Sequence, residues 1–354
     1  YRYFYILIIQ GKMKKLLLAV VLVLGIVSCG GGGAAEKKEQ KLIFYAGLQE
    51  DHAALIAQEF EKETGIKTEF VRLSSGETLA RLKAEKENMT ASVWYGGPVD
   101  GFVAANEEGL IEAYKSPEAA NIKEGFKDPN GVWTGIYIGY LGFVGNQKAL
   151  AEKGLKMPTS WADLLKPEYK GEIVVAHPGS SGTAYTMLAT LVQLMGEDQA
   201  MDYMKKLNGQ IRQYTKSGTA PGRMVGTGEA TIGITFLHDG IKYQKEGYSD
   251  IVLGAPSEGT GYEVGGVALL KGGPDQEAAK KFIDWVLTKK AQEMGKNVGS
   301  FQFLTNINAI NPPESKVVEN TKLIKYDVNF AGKNKKALVQ RFTKETNSKA
   351  PEKD

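Results

Sequence analysis

The chain has one cysteine and three histidines in 354 residues. A single cysteine excludes an internal disulfide, a cysteine-held iron–sulfur cluster and cysteine-ligated zinc. The histidines, His52, His177 and His238, are too widely spaced along the chain to read as a zinc site. Charge of one sign is scarce as well. The net charge is only +3 and the lysines are scattered, as on solvated helix faces, so nothing calls for nucleic acid. Nucleotide signatures fail too. There is no G-x-x-x-x-G-K-[ST] run, so the chain does not itself hydrolyse ATP. In "GTGYEVGG" Val264 stands where the last glycine of a dinucleotide fingerprint belongs, and "GTGEAT" fails in the same way. "HPGSSG" is not a nucleophile elbow, because Gly182 directly follows Ser181. A hydrolase using His238, Asp239 and Ser181 is the enzyme reading left open. The expectation is a protein that is not an enzyme and needs neither cofactor nor metal.

What is there suits a soluble two-domain protein: 42% hydrophobic and 24% charged residues over a length that fits two ordinary domains. The N-terminal part stands apart from this. Met13-Lys14-Lys15 precedes "LLLAVVLVLGIVSC", a basic segment and then an apolar run too short for a comfortable membrane span. Residues 1–29 therefore read as a secretory signal, with 1–12 expected upstream of the true start; the alternative is a membrane anchor over 1–27. Cys29, at the end of "IVSC" and before "GGGG", resembles the lipobox cysteine of bacterial lipoproteins, which is acylated through its sulfur. Residues 30–40, glycine-rich and then charged, read as a flexible tether.

From Lys41 strands alternate with helices, which argues for an α/β fold with parallel sheet. "KLIFYAG" and "IKTEFVRL" flank a helix capped by Asp51, with Leu55, Ile56 and Phe60 on one face and Gly65 at its end. A helix from Glu77 and the strand "ASVWYGG" follow. "GIYIGYLGFVGN" is a long β-rich run suited to a crossing between domains. A second series contains "GEIVVAHP", a helix from Gly182, "GQIRQYT", a helix near Val225 and "ATIGITFL". "DIVLGAP" and "YEVGGVALLKG" form the return crossing, and one amphipathic helix carries Phe282, Trp285, Val286 and Met294. The predicted lobes are 41–136 with 260–335, and 137–259; 336–354 is a charged helix with a frayed tail.

Three segments share one grammar. They are Ser74, Ser75, Gly76 and Thr78; Ser180, Ser181, Gly182 and Thr183; and Ser217, Gly218 and Thr219. Each follows a strand and opens a helix, offering backbone N–H groups, hydroxyls and a glycine that lets a ligand close on the backbone. Taken singly each is an ordinary cap, and Ser74 with Glu77 fits a capping box. Taken together they suit a phosphate, since loops at the carboxyl ends of strands line the crevice of open α/β sheets. Arg72 and Arg223 stand near enough in sequence to add charge.

The stretches "SSGETLARLKAEKENMTASVWYGG", "MVGTGEATIGITFLHDG" and "GYEVGGVALLKGGPDQEAAKKFIDWVL" resemble periplasmic solute-binding proteins of ABC importers, in the cluster of ferric-ion and sugar-phosphate binders. The resemblance covers about residues 41–330. It implies two α/β lobes of the type II kind, joined by a two-strand hinge and closing on ligand. It also implies a permease and a separate ATPase as partners, and a periplasmic location, lipid-anchored to the envelope. Ferric-ion members usually carry adjacent tyrosines. This chain has no Tyr-Tyr pair, and the expected ligand positions fall on Leu237, His238, Gln49 and Gly97. Agreement is better with the hexose-phosphate members, through His238, Asp239 and Glu263 as partners of sugar hydroxyls while the Ser/Gly/Thr loops hold phosphate. Ferric ion is the alternative ligand, and a phosphonate or other oxyanion a further one. His238 and Asp239 end the predicted strand of "ITFLHDG". His177 is expected to orient the "GSSG" turn and His52 to sit in a first helical turn. Trp94 and Tyr95 either contact a sugar ring or fill the wall, and Tyr137 and Tyr140 are similarly open.

Overall fold

The computed structural model describes residues 39–354. The signal, Cys29 and nearly all of the tether lie outside the described residues, so those expectations meet no structure here. Strand β1 (Lys41–Ala46) buries Leu42, Phe44 and Tyr45 completely. Helix α1 (Glu50–Thr64) follows, with Gln49 rather than Asp51 at its N-cap. Ile56 and Phe60 form its buried face, and Gly65 ends it in the left-handed conformation at φ 72°. Then come β2 (Lys67–Arg72), α2 (Ser75–Ala84), β3 (Val93–Pro98), α3 (Val99–Glu107) and β4 (Ile111–Glu112). Helix α2 begins ahead of Glu77 because Ser74 takes the cap, its amide donating to Glu77 Oε2 at 3.0 Å. Strands β1, β2 and β3 run parallel.

The long strand β5 (Thr134–Asn146) leads to α4 (Gln147–Glu152), β6 (Ile173–Ala176), α5 (Gly182–Met195), α6 (Glu197–Asn208) and β7 (Ile211–Thr215). Next are α7 (Ala220–Gly226), β8 (Ile232–Phe236), α8 (Leu237–Lys245) and β9 (Ile251–Gly254). The chain returns through β10 (Tyr262–Leu270) to α9 (Gln276–Val286), α10 (Lys289–Glu293) and β11 (Phe303–Leu304), and ends in α11 (Val328–Thr346). The single amphipathic helix expected to carry Phe282 through Met294 is broken at Thr288, whose hydroxyl caps α10.

The strands lie in the order β2-β1-β3-β10-β5-β8-β6-β7. Strand β5 belongs to both lobes. Its Thr134–Tyr140 half pairs with β10, and its Leu141–Asn146 half pairs with β8 and β9. Each lobe has its own core. One gathers Phe44, Phe60, Phe282 and Trp285 around β1 and β3, and the other gathers Phe143, Trp161, Tyr185 and Leu188 around β5, β6 and β8. Full burial of each such side chain is worth about 1.5–3 kcal/mol, so neither lobe depends on a ligand for its core.

Helix α11 begins at Val328, well before position 336, and its Ala331, Leu338 and Phe342 join the second core. The tail is not frayed. Ser348 Oγ lies 3.0 Å from His177 Nε2, and Asp354 accepts bonds from the loop at Ser217. The expectation failed because a polar run gives no sign of the groups it will meet across the fold.

Candidate functional site

A narrow cavity lies between the lobes. Its walls include Ser74 and Ser75 from α2, Ser181, Gly182 and Thr183 from α5, and Gly218 and Thr219 before α7. All three predicted loops therefore reach one space. Ser181 Oγ caps its helix by accepting from Ala184 N at 3.3 Å. The amides of Ser75, Gly182, Thr183, Gly218 and Thr219 have no protein acceptor among the described residues. Those at the starts of α2 and α5 also carry the positive end of a helix dipole. Arg72 adds a full charge, fixed by Nε to Leu48 O at 3.3 Å and Nη1 to Ser74 Oγ at 3.0 Å. Arg223 is exposed on α7 and does not line the cavity.

The same cavity is also lined by acidic and neutral-polar side chains. His238, Asp239 and Glu263 all line the cavity and are at least 94% buried, with exposures of 6%, 2% and 4%. His238 Nε2 stands 3.7 Å from Asp239 Oδ1 and 3.8 Å from Glu263 Oε1. Burial lowers the histidine pKa, against the pull of Asp239. Burial pushes the Glu263 carboxyl well above its ordinary range, with Asp239 and then Asp100 adding repulsion. The imidazole lies parallel to Phe236 at 5.6 Å between centroids. Gly139 leaves room for it, because a Cβ there would come within 2.7 Å of His238 Nδ1 and 2.8 Å of Glu263 Oε1.

One placement is a correction. His238 and Asp239 do not end a strand; they open helix α8, which follows β8 without a loop. Gly240 looked like a terminator. It sits inside the helix because a Cβ would meet Leu253 Cδ2 at 2.5 Å, so glycine serves close packing on β9.

Several expected contacts fall outside the cavity lining. Gly76 donates its amide to Ser180 O of the other lobe at 2.9 Å. Thr78 Oγ1 returns to Ser74 O within its own helix, and Ser180 Oγ donates to Lys216 O at 2.8 Å. Ser217 is taken by Asp354, its amide donating to Oδ1 at 2.7 Å and its hydroxyl to Oδ2 at 2.6 Å. Trp94 does not face a ligand; it stacks on Phe102 at 4.2 Å in the core. Tyr95 is also core, edge-on to Phe44 and Phe282. Tyr140 stacks on Phe303 at 4.8 Å. Tyr137 does line the cavity, its hydroxyl accepting from Gly97 N at 3.0 Å. His177 orients the "GSSG" turn as expected, its Nδ1 accepting from Gly179 N at 2.9 Å.

Sequence reasoning did not single out Leu48, Pro98, Phe236 or Gln302 as lining residues, and it treated Gln49 only as a position lacking histidine. Gln49 Nε2 donates to Asp239 Oδ1 across the cleft at 2.5 Å. Lys216 pairs with Glu77 at 2.7 Å, and Lys242 with Asp51, so the lobes are closed on one another. Ser181 and His238 share no hydrogen bond among the described residues, which leaves the hydrolase arrangement unassembled. No group of three or more His, Cys, Asp or Glu among the described residues is arranged to hold a metal ion. No helix among them is long and apolar enough to cross a membrane.

Comparison with known proteins agrees with this geometry. The profile described as "Bacterial extracellular solute-binding protein" matches residues 100–334. The chain is similar to the periplasmic binding protein AfuA from Actinobacillus pleuropneumoniae, solved with exogenous fructose-6-phosphate bound. That likeness has a TM-score of 0.84 and 41% identity, and covers 88% of this chain and 100% of the other. It is 43% identical to an uncharacterised protein of Haemophilus influenzae, over 86% of this chain and 90% of that one. It is 24% identical to an Fe(3+)-binding periplasmic protein of Serratia marcescens, over 85% of this chain and 89% of that one. The chain belongs to the bacterial extracellular solute-binding proteins, as a two-lobed periplasmic receptor of the ABC importer type and not an enzyme.

Proposed function

We propose that this protein captures a phosphorylated small molecule, with a hexose phosphate as the leading candidate, and hands it to a permease driven by a separate ATPase. Anchoring to the envelope through an acylated Cys29 belongs to the same proposal. The observation that carries it is the polarity of one cavity. Unpaired amides and Arg72 line it together with Asp239, Glu263 and His238. A phosphate supplies acceptors for the first group, and vicinal hydroxyls supply donors for the second. A small inorganic oxyanion carries no sugar hydroxyls and so matches the acids less fully. The fructose-6-phosphate bound to the Actinobacillus protein supports the same ligand class. Ligand contacts that bridge both lobes favour the closed form, because only differential affinity shifts an open–closed equilibrium.

The test is a thermal-shift panel followed by calorimetry. Glucose-6-phosphate or fructose-6-phosphate is expected to raise the melting temperature by mass action, with free sugars, inorganic phosphate and a phosphonate doing less. Stabilisation by ferric citrate with a visible charge-transfer band, and no response to sugar phosphates, would replace this reading with the ferric one.

A further inference from the structure

Beside the ligand cavity lies a smaller, partly closed chamber that the proposed function does not use. Its polar lining comes from His52, Tyr95, Tyr137, Gln292, Ser300 and Gln302. Tyr137 and Gln302 line both spaces, so they form the partition between them. His52 projects from the first turn of α1, is 5% exposed, and has no hydrogen-bond partner at either ring nitrogen. A buried imidazole left unpaired is costly, and interiors satisfy such groups with protein or with ordered water.

The neighbouring groups define what fits. Gln292 is already committed, donating to Thr305 Oγ1 at 2.9 Å and accepting from Thr305 N and Asn306 N. Ser300 Oγ donates to Gln49 Oε1 at 2.5 Å. The Gln302 amide and the Tyr95 hydroxyl have no protein partner among the described residues and line the same chamber. Burial brings the His52 pKa down to about 4, so the ring is neutral near pH 7. It then offers one donor and one acceptor. No charged side chain lines the chamber, and an ion would be stranded there. A neutral O–H group, which can both donate and accept, matches the vacant positions. Gly295 limits the space from the far side, since a Cβ there would lie 2.9 Å from His52 Cε1.

We infer that this chamber is a hydroxyl site, taking a single neutral O–H group held by His52. That group is either a resident water or a hydroxyl arm of the captured ligand reaching past Gln302. The second source rests on the hexose-phosphate reading; the first does not.

The test is a pair of high-resolution crystal structures, without ligand and with glucose-6-phosphate, for wild type and His52→Leu, with calorimetry on both proteins. Wild type is expected to show an oxygen within hydrogen-bond distance of a His52 nitrogen, and His52→Leu to lose it. A resident water gives that oxygen in the ligand-free crystal and leaves affinity within about twofold in the variant. A ligand arm gives density continuous with the sugar and weakens binding by about fivefold, the worth of one neutral hydrogen bond. A chamber empty of oxygen beside His52 in both wild-type crystals, or a His52 ring bonded to a protein group instead, would overturn the inference. If wild type shows no heat with glucose-6-phosphate, the ligand reading fails while the ligand-free crystal still decides the water. Should His52→Leu not fold, Gly295→Ala crowds the same space and carries the same readout.

Discussion

Gln49 Nε2 donates to Asp239 Oδ1 at 2.5 Å, and the two residues stand on opposite lobes. Ser300 Oγ donates into Gln49 Oε1, which fixes the orientation of the amide and turns its N–H₂ toward the carboxylate. The acid wall of the cleft is therefore tied across to the other lobe by a neutral protein group. The pairs Lys216–Glu77 and Lys242–Asp51 and the bond from Gly76 N to Ser180 O also cross the cleft. All these contacts exist only when the lobes meet. Gln49→Ala is expected to shift the ligand-free protein toward the open form, seen as a larger radius of gyration by small-angle scattering. Ligand should restore the compact value at about fivefold weaker affinity, because a smaller closed fraction lowers apparent binding. An unchanged radius and affinity would mean that this bond does not bear on closure.

Glu263 gives a prediction with a definite sign. Its carboxyl is pushed well above the ordinary range by burial, with Asp239 next. The folded protein therefore holds the proton more tightly than the unfolded chain, which sheds it near pH ~4.3. Stability of the ligand-free protein falls as pH rises from there toward the folded value, and the cost persists above it. Glu263→Gln keeps the shape and cannot ionise. It is expected to raise the melting temperature at pH 7 and to lose that advantage near pH 4. Scanning fluorimetry at the two pH values checks this; a larger advantage at the acid end would contradict it.

Local signals explain what was legible in advance. The run Leu42, Phe44, Tyr45 and the cap at Ser181 are written in neighbouring residues, so strands, helix starts and the three loops could be read directly. The polar wall was legible as residue types, while its setting was not. His238 and Asp239 read as a strand end because Gly240 mimics a terminator, whereas they open the helix Leu237–Lys245 and Gly240 serves close packing against Leu253. Trp94 shows the second limit. Strand β3 is buried on both faces, so alternation gives no way to tell a cavity face from a helix-covered one. Gln49 and Gln302 carry no local pattern, since their part in the site comes from what stands opposite them.

Gly139 tests the acid wall by volume instead of charge. A methyl group there would sit 2.6 Å from His238 Cε1 and 2.8 Å from Glu263 Oε1, too close for either to stay. Strand β5 accepts alanine in its backbone, so the pairing of Gly139 with Glu263 is expected to survive. Gly139→Ala should leave the far-UV circular dichroism unchanged and weaken hexose-phosphate binding by roughly thirtyfold, the loss of two hydrogen bonds to neutral groups at about 1 kcal/mol each. Binding within a few-fold of wild type would show that His238 and Glu263 can be displaced without consequence.

Lys335 and Asp100 test how the last helix is held. Lys335 Nζ lies 3.1 Å from Asp100 Oδ1 with both side chains buried, and 3.8 Å from the centre of the Tyr185 ring. Burial raises the Asp100 carboxyl, and Lys335 pulls it back. The pair joins α11, whose Leu338 and Phe342 pack in the second core, to α3 of the first lobe. Removing one partner leaves the other charge buried without compensation, which costs about 3–5 kcal/mol. Lys335→Met is therefore expected to lower the urea midpoint sharply. The double variant Lys335→Met with Asp100→Leu should recover most of the loss, because an apolar pair of similar volume avoids desolvating two charges. Neither residue lines the cavity, so hexose-phosphate affinity should hold in the double variant. If the double variant is as unstable as the single one, shape and not charge pairing holds α11 in place.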